Sequence, residues 1–309
     1  MMRPRSRLTN HQSRKFHDRQ KTRLVFVAAL IVISAGTWIF SLSRLSWLSV
    51  FTVDTVVVKG ADPDIAPVLQ ARALSMLSGS YLGIFSRANS FMYPRAAMTA
   101  AVLAASPRVS SVKVSPSSLH ALDIDVTEKA PASIVCAGLP DFSRDDADGC
   151  YFTDQAGLIL GPAPSFTGHV YNRYYMPALA DNATGTAELS GQLATSTPEF
   201  NALQDFYNGA AGAGIGVAAI LSKDGGEYEL YADNPARAGL GASATATTSD
   251  PDLAVIYFND AGSLPVELAD LVSFWKNRVS AAAAAHTNVG FDYIDLRYGS
   301  NIYYRAEGQ

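Results

Sequence analysis

Few residues in this chain are of types and spacings that could do chemistry. Its histidines are His11, His17, His120, His169 and His286. None has a second histidine four residues away, the spacing that puts two imidazoles on one helix face to grip a metal. Two cysteines cannot furnish a Cys-rich zinc site, and no G-x-S-x-G nucleophile elbow occurs. Gly212-Ala213-Gly214-Ile215-Gly216 has glycines spaced like a dinucleotide loop, but that chemistry needs a strand before the loop and a helix after it. The surrounding pattern predicts the reverse order, which makes this segment a turn. Asp146-Ala147-Asp148-Gly149 matches part of a calcium loop, yet the first ligand position holds Arg144 and the twelfth holds Gln155. It reads better as a solvated acidic turn. Asn182-Ala183-Thr184 fits a glycosylation acceptor, a tripeptide common by chance. The expectation is a protein without catalytic residues, metal or cofactor, which acts by presenting surfaces.

Cys136 and Cys150 are the only cysteines, and 13 residues separate them. Two readings suit them: unrelated thiols, or a disulfide closing a short loop. Outside the membrane, where disulfides persist, a bridge over such a loop contributes about 3 kcal/mol in the entropic model.

Charge and hydropathy set the placement of everything else. The net charge is −4, but residues 1–23 carry eight basic side chains against Asp18, a net +7 that leaves −11 for the rest. Leu24–Ser43 is a run of 20 residues without a charge. As a helix rising ~1.5 Å per residue it spans about 30 Å, the thickness of a hydrocarbon core. A cleaved signal peptide has a shorter apolar core and a small-residue cleavage site, which do not fit here. Trp38 and Trp47 suit the far interface. The pattern predicts a signal anchor over 24–50 with a cytoplasmic basic tail over 1–23, the bulk lying outside the membrane. Beside such a run a basic tail sets topology and binds anionic lipid, and no nucleic-acid partner is expected.

Beyond the anchor, Phe51–Lys59 alternates like a strand. Asp62-Pro63 opens a helix bearing Val68, Leu69, Ala73, Met76 and Leu77, and a second helix runs from Pro94 to about Ala105. Tyr81–Phe85 reads as an apolar loop. Val109–Ser115 and Leu119–Glu128 are strands, the second with Leu122, Ile124 and Val126 in strict alternation. The order β-α-α-β-β makes one compact domain over 51–131. After it come short strands at Ser133–Cys136, Cys150–Thr153 and Leu158–Leu160, and a stretch over 161–199 without a clear pattern. Then follow a helix over Pro198–Ala211, a hairpin across Asp224-Gly225-Gly226, a low-complexity loop over 239–250, a buried strand at Leu253–Phe258 and a long amphipathic helix over Leu264–Ala284. The chain closes with strands at Tyr293–Arg297 and Asn301–Arg305. The fold class is α+β: a transmembrane helix, a small α/β domain, and a mixed β-domain with flanking helices over 132–309.

The last strand, with Ile302, Tyr303, Tyr304 and Arg305, ends almost at the terminus. Two arrangements suit it, inside the sheet with neighbours on both sides or at an open edge. An open edge offers unpaired N–H and C=O groups to which a partner strand can add.

These elements resemble a known family. The unit opening with VDTVVVKG, continuing through Pro107-x-Val109-x-x-Val112-x-Val114 and closing with Leu122-x-Ile124-x-Val126-x-Glu128-Lys129-x-Pro131, is similar to a POTRA domain of the FtsQ/DivIB family of bacterial cell-division proteins. Tyr151–Gly157 and Tyr293–Tyr298, followed by a tyrosine-rich strand, are similar to that family's β-domain. The likeness covers 1–160 and about 252–305, while 161–250 departs from it. The resemblance implies a non-enzymatic divisome scaffold in the plasma membrane at the septum. It implies partners of the small coiled-coil FtsB/DivIC and FtsL types, with a partner strand pairing along Asn301–Arg305. Carried onto this sequence, the binding residues are Tyr293, Arg297, Ile302, Tyr303 and Tyr304. Two other classes are weaker fits. A POTRA-containing envelope assembly or secretion factor normally brings a barrel of ~10-residue alternating strands, which is not visible here. A membrane-anchored envelope enzyme needs a reactive pair.

Overall fold

The computed structural model describes residues 10–140, 142, 149–164, 170–179, 189–235, 253–260, 263–285 and 289–306. The acidic turn at 146–148, the sequon at Asn182, the low-complexity loop, His169 and His286 lie outside them. The fold is α+β, and the chain divides into two compact units, Met1–Ala105 with Ser111–Thr127, and Ser106–Ser110 with Glu128–Gln309.

The first unit opens with α1 (Asn10–Ser46), which includes the uncharged run. Its segment Arg23–Ser46, 24 residues, is long and apolar enough to cross a membrane. A short 3-10 turn, Ser49–Phe51, leads into β1 (Thr55–Lys59). Then come α2 (Ala66–Leu77), a two-stranded ribbon of β2 (Ser80–Tyr81) and β3 (Phe85–Ser86), α3 (Arg95–Leu103), β4 (Val109–Pro116) and β5 (Ala121–Glu128). β5 lies between β1 and β4 and runs parallel to β1, Val56 opposite Leu122 and Val58 opposite Ile124. The i, i+4, i+8 stripe of Leu69, Ala73 and Leu77 buries one face of α2, and Met98 and Val102 do the same for α3. With Val56, Leu122 and Ile124 these side chains form the buried interior of the unit. Val68, expected on the apolar face of α2, is exposed. The ribbon stands where the sequence reads as a loop: two strands of two residues each are too short for alternation to register.

The second unit is built on a nine-stranded sheet. Its strands are β6 (Ser133–Cys136), β7 (Cys150–Thr153), β8 (Ile159–Pro162), β9 (Asn172–Tyr175), β10 (Val217–Lys223), β11 (Glu227–Asp233), β12 (Leu253–Asn259), β13 (Phe291–Tyr298) and β14 (Asn301–Ala306). Their spatial order is β14-β13-β12-β11-β10-β9-β6-β7-β8. β9 falls in the stretch that gave no pattern, and it joins the sheet's halves by pairing in parallel with β6 on one side and β10 on the other. α4 (Thr197–Gly212) and α5 (Leu264–Ala284) complete the unit. Ser196 caps α4 by accepting a hydrogen bond from the Glu199 N–H at 3.4 Å, with Pro198 in the first turn, so Ser-x-x-Glu marks the helix start. Gly212 ends α4, and the Gly212–Gly216 segment leads from helix to strand as the sequence order required.

Strand alternation divides the side chains between two clusters. Val135, Tyr174, Ile220, Leu230, Ile256 and Ile294 join Phe200, Phe206, Leu271 and Trp275 of α4 and α5 in the main core. Ile134, Cys136, Tyr175, Leu221 and Tyr231 form a second cluster. Within it Cys136 and Cys150, opposed in the β6–β7 register, are joined by a disulfide with Cα atoms 4.0 Å apart.

Candidate partner-binding edge

β14 stands at one end of the nine-strand order and, among the described residues, pairs with β13 alone. The connection Gly299-Ser300 is a two-residue hairpin turn, and Gly299 at φ 66° supplies the positive φ that the first position of a type II′ turn needs. Along an antiparallel ribbon, alternate residues of the outer strand direct N–H and C=O away from their partner. β14 therefore carries a backbone of donors and acceptors along its outer side.

Register assigns each candidate residue to a face. Glu229, Tyr257, Asp295 and Tyr303 lie opposite one another across β11, β12, β13 and β14, and Tyr231, Val255, Tyr293 and Arg305 form the next such row. Between them runs Leu230, Ile256, Ile294 and Tyr304. The first three of that row are fully buried under the helices, whereas Tyr304 is 38% exposed. The main core thus reaches the surface at the edge strand.

The structure therefore splits the five expected binding residues. Ile302 and Tyr304 lie on the helix side. Ile302 packs against the main core, and the Tyr304 ring meets Phe274 at 5.1 Å and Phe291 at 6.2 Å. Arg278 of α5 sits over the Tyr304 ring, 4.5 Å from its centre, and donates to its hydroxyl. Tyr293, Arg297 and Tyr303 lie on the opposite face. Tyr303 is 54% exposed and meets Tyr298 edge-on at 5.3 Å.

Arg297 is held firmly. Its Nε and Nη2 donate to the two Asp295 oxygens at 2.9 and 2.7 Å, its Nη1 lies 3.5 Å from Glu227, and its guanidinium stacks 5.1 Å from the Tyr257 ring centre. Burial pushes the Asp295 carboxyl up, but hydrogen bonds from the Arg297 side chain and N–H, with the Arg297 charge, outweigh it and hold it below the ordinary carboxylate range. Arg297 orders the outer face more than it offers a free charge. Arg305 does the same in the adjacent row, bonding Asp292 at 2.6 Å and lying 5.6 Å from the Tyr293 ring centre.

Sequence reasoning passed over Arg278, Phe274, Tyr257 and Asp295. The signals were present for some of them. Phe274 and Arg278 are four apart on one helix face, and Asp295 and Arg297 are two apart in a strand. Only the register shows that Tyr257 joins them. The one described histidine with visible side-chain surroundings, His120, has Nδ1 3.0 Å from the Thr52 carbonyl oxygen in the first unit. Comparison with models of known protein families and with curated proteins gave no match.

Proposed function

We propose that this chain is a membrane-anchored, non-enzymatic scaffold of the bacterial division machinery, of the FtsQ/DivIB kind. In this reading α1 crosses the plasma membrane with its basic tail in the cytoplasm, against anionic lipid. Both compact units stand outside, the first acting as a POTRA domain and the second as the β-domain, at the division septum. A strand from a small coiled-coil partner of the FtsB/DivIC type, accompanied by one of the FtsL type, adds along β14.

The observation that carries the reading is the place of β14 at the end of the sheet, with Tyr303 exposed on one face and Tyr304 partly exposed on the other. Backbone pairing supplies affinity in such additions, and alternate side chains supply selectivity. The apolar length of α1 supports the anchor.

Depletion in the native bacterium is expected to produce filaments, and a fluorescent fusion to gather at midcell. Normal division after clean deletion, with the fusion spread evenly around the envelope, would refute the division role.

A further inference from the structure

The turn between β2 and β3 is built against the usual preferences. Ile84 donates its N–H to the Tyr81 carbonyl at 2.9 Å, closing a two-residue turn over Leu82 and Gly83. Both central residues have positive φ, 52° at Leu82 and 71° at Gly83. Turns of this kind favour Asn-Gly or Asp-Gly, because the left-handed region costs an ordinary L-residue roughly 1–2 kcal/mol. Leu82 bears that strain and is 95% exposed, so no packing within the protein repays it.

The turn is tied to the end of α1. The Ser43 hydroxyl and the Trp47 indole N–H both donate to the Ile84 carbonyl, at 2.8 and 2.9 Å. Ser46 Oγ accepts from the Ser86 N–H at 3.0 Å, and the Ser46 carbonyl accepts from Asn89 Nδ2 at 3.2 Å. Ser43 is the last residue of the uncharged run and Arg44 the first charge after it. The turn is thus fixed at the level where the apolar helix gives way to charge. Phe91, two residues after Asn89, is 73% exposed, and its ring lies 5.7 Å from that of Phe51, just past the end of α1. Arg87, 5.4 Å from the Tyr81 ring centre, and Arg95 lie in the same segment, and no acidic residue occurs between Asp64 and Asp123.

The geometry points to insertion of the Leu82 turn, with Phe91, into the headgroup layer of an anionic bilayer. The first unit thereby rests on the membrane at a fixed position relative to α1. This inference rests on the reading of α1 as a membrane anchor. An exposed apolar turn flanked by the Arg87–Tyr81 pair and tied by hydrogen bonds to the end of the apolar helix matches the chemistry of the bilayer interface.

The test uses the full chain in vesicles of phosphatidylcholine and phosphatidylglycerol carrying spin labels on the upper acyl chain. Leu82→Cys, Val68→Cys and Ile33→Cys are each labelled with a small fluorophore, the native cysteines being joined to each other. Val68 is also exposed and apolar, but lies at the start of α2, beyond the far end of β1. The expected result is lipid quenching several-fold stronger at position 82 than at position 68, with position 33 quenched throughout. Quenching at 33 but equal, weak quenching at 82 and 68 overturns the insertion and leaves the anchor standing. No quenching at 33 removes the anchor and the insertion together. Disulfide-linked dimers of the unlabelled Leu82→Cys protein, with no lipid quenching at that position in the labelled one, would assign the tip to a second copy of the chain and overturn the proposal.

Discussion

The two ends of the nine-stranded sheet handle the same physical problem in opposite ways. At one end β8 is four residues long, ends in Pro162, and has Ile159 and Leu160 buried. A neighbouring segment covers it. Ile159 donates to the Gln192 carbonyl at 2.9 Å, Gly191 donates to the Ile159 carbonyl at 2.8 Å, and Ala194 bonds Gly157 at 2.9 Å. At the other end β14 is six residues long, contains no proline, and among the described residues pairs on one side only. Uncovered edges invite pairing with other chains, and proteins ordinarily shorten, cover or blunt them. This sheet does all three at β8. The same sheet therefore holds the means to close an edge, and among the described residues β14 is left without it.

The contrast can be broken most forcefully at the closed end. Replacing both Cys136 and Cys150 with Ser removes the staple between β6 and β7, and is expected to cost about 3 kcal/mol in chemical denaturation. Partner capture through β14 is expected to survive in the folded variant. Equal loss of capture would mean that the two ends are not independent. At the open end, Tyr303→Pro removes one backbone donor and restrains φ. Losing that bond and a neighbouring one displaced by the fixed φ, at ~1–1.5 kcal/mol each, would weaken pairing with the proposed coiled-coil partner by roughly 30- to 150-fold, read by titration against the folded variant. Undiminished affinity there would place the docking surface elsewhere.

A smaller effect concerns the face that supports the open strand. Asp295→Asn removes the carboxylate gripped by Arg297 and is expected to lower stability at neutral pH by about 2 kcal/mol, the scale of a hydrogen bond to a charged group. Because the Asp295 pKa is depressed, its stabilisation is complete above the ordinary carboxylate value of about 3.9 and drains away as pH falls toward the folded value. Denaturation midpoints of native chain and variant should converge in that acid range. A constant gap across the titration would show that Asp295 acts by packing and not by charge.

Much of the framework was legible in the residues. The uncharged run required a long apolar helix, and alternation in LHALDIDVTE and the continuous apolar run LAVIYF marked strands that the structure contains. The helix read over Pro198–Ala211 stands as α4, Thr197–Gly212. The elements that escaped were short or irregular. β9 is only Asn172–Tyr175, bounded by segments rich in Gly, Pro and polar residues, yet it makes one sheet out of two sets of strands. The terminal hairpin was visible, but which tyrosine faces which side followed only from its pairing.

The sequence by itself determined the local states: which segments are helix or strand, where the charge asymmetry lies, and that Tyr303 and Tyr304 occupy opposite faces. Those properties depend on neighbours a few residues away. Tertiary structure alone decided that β14 is an edge, that Cys136 meets Cys150, that Arg278 reaches Tyr304, and that Ile84 clasps the end of α1. The three contacts join residues 14, 26 and 41 positions apart, and only three-dimensional packing brings them within bonding distance.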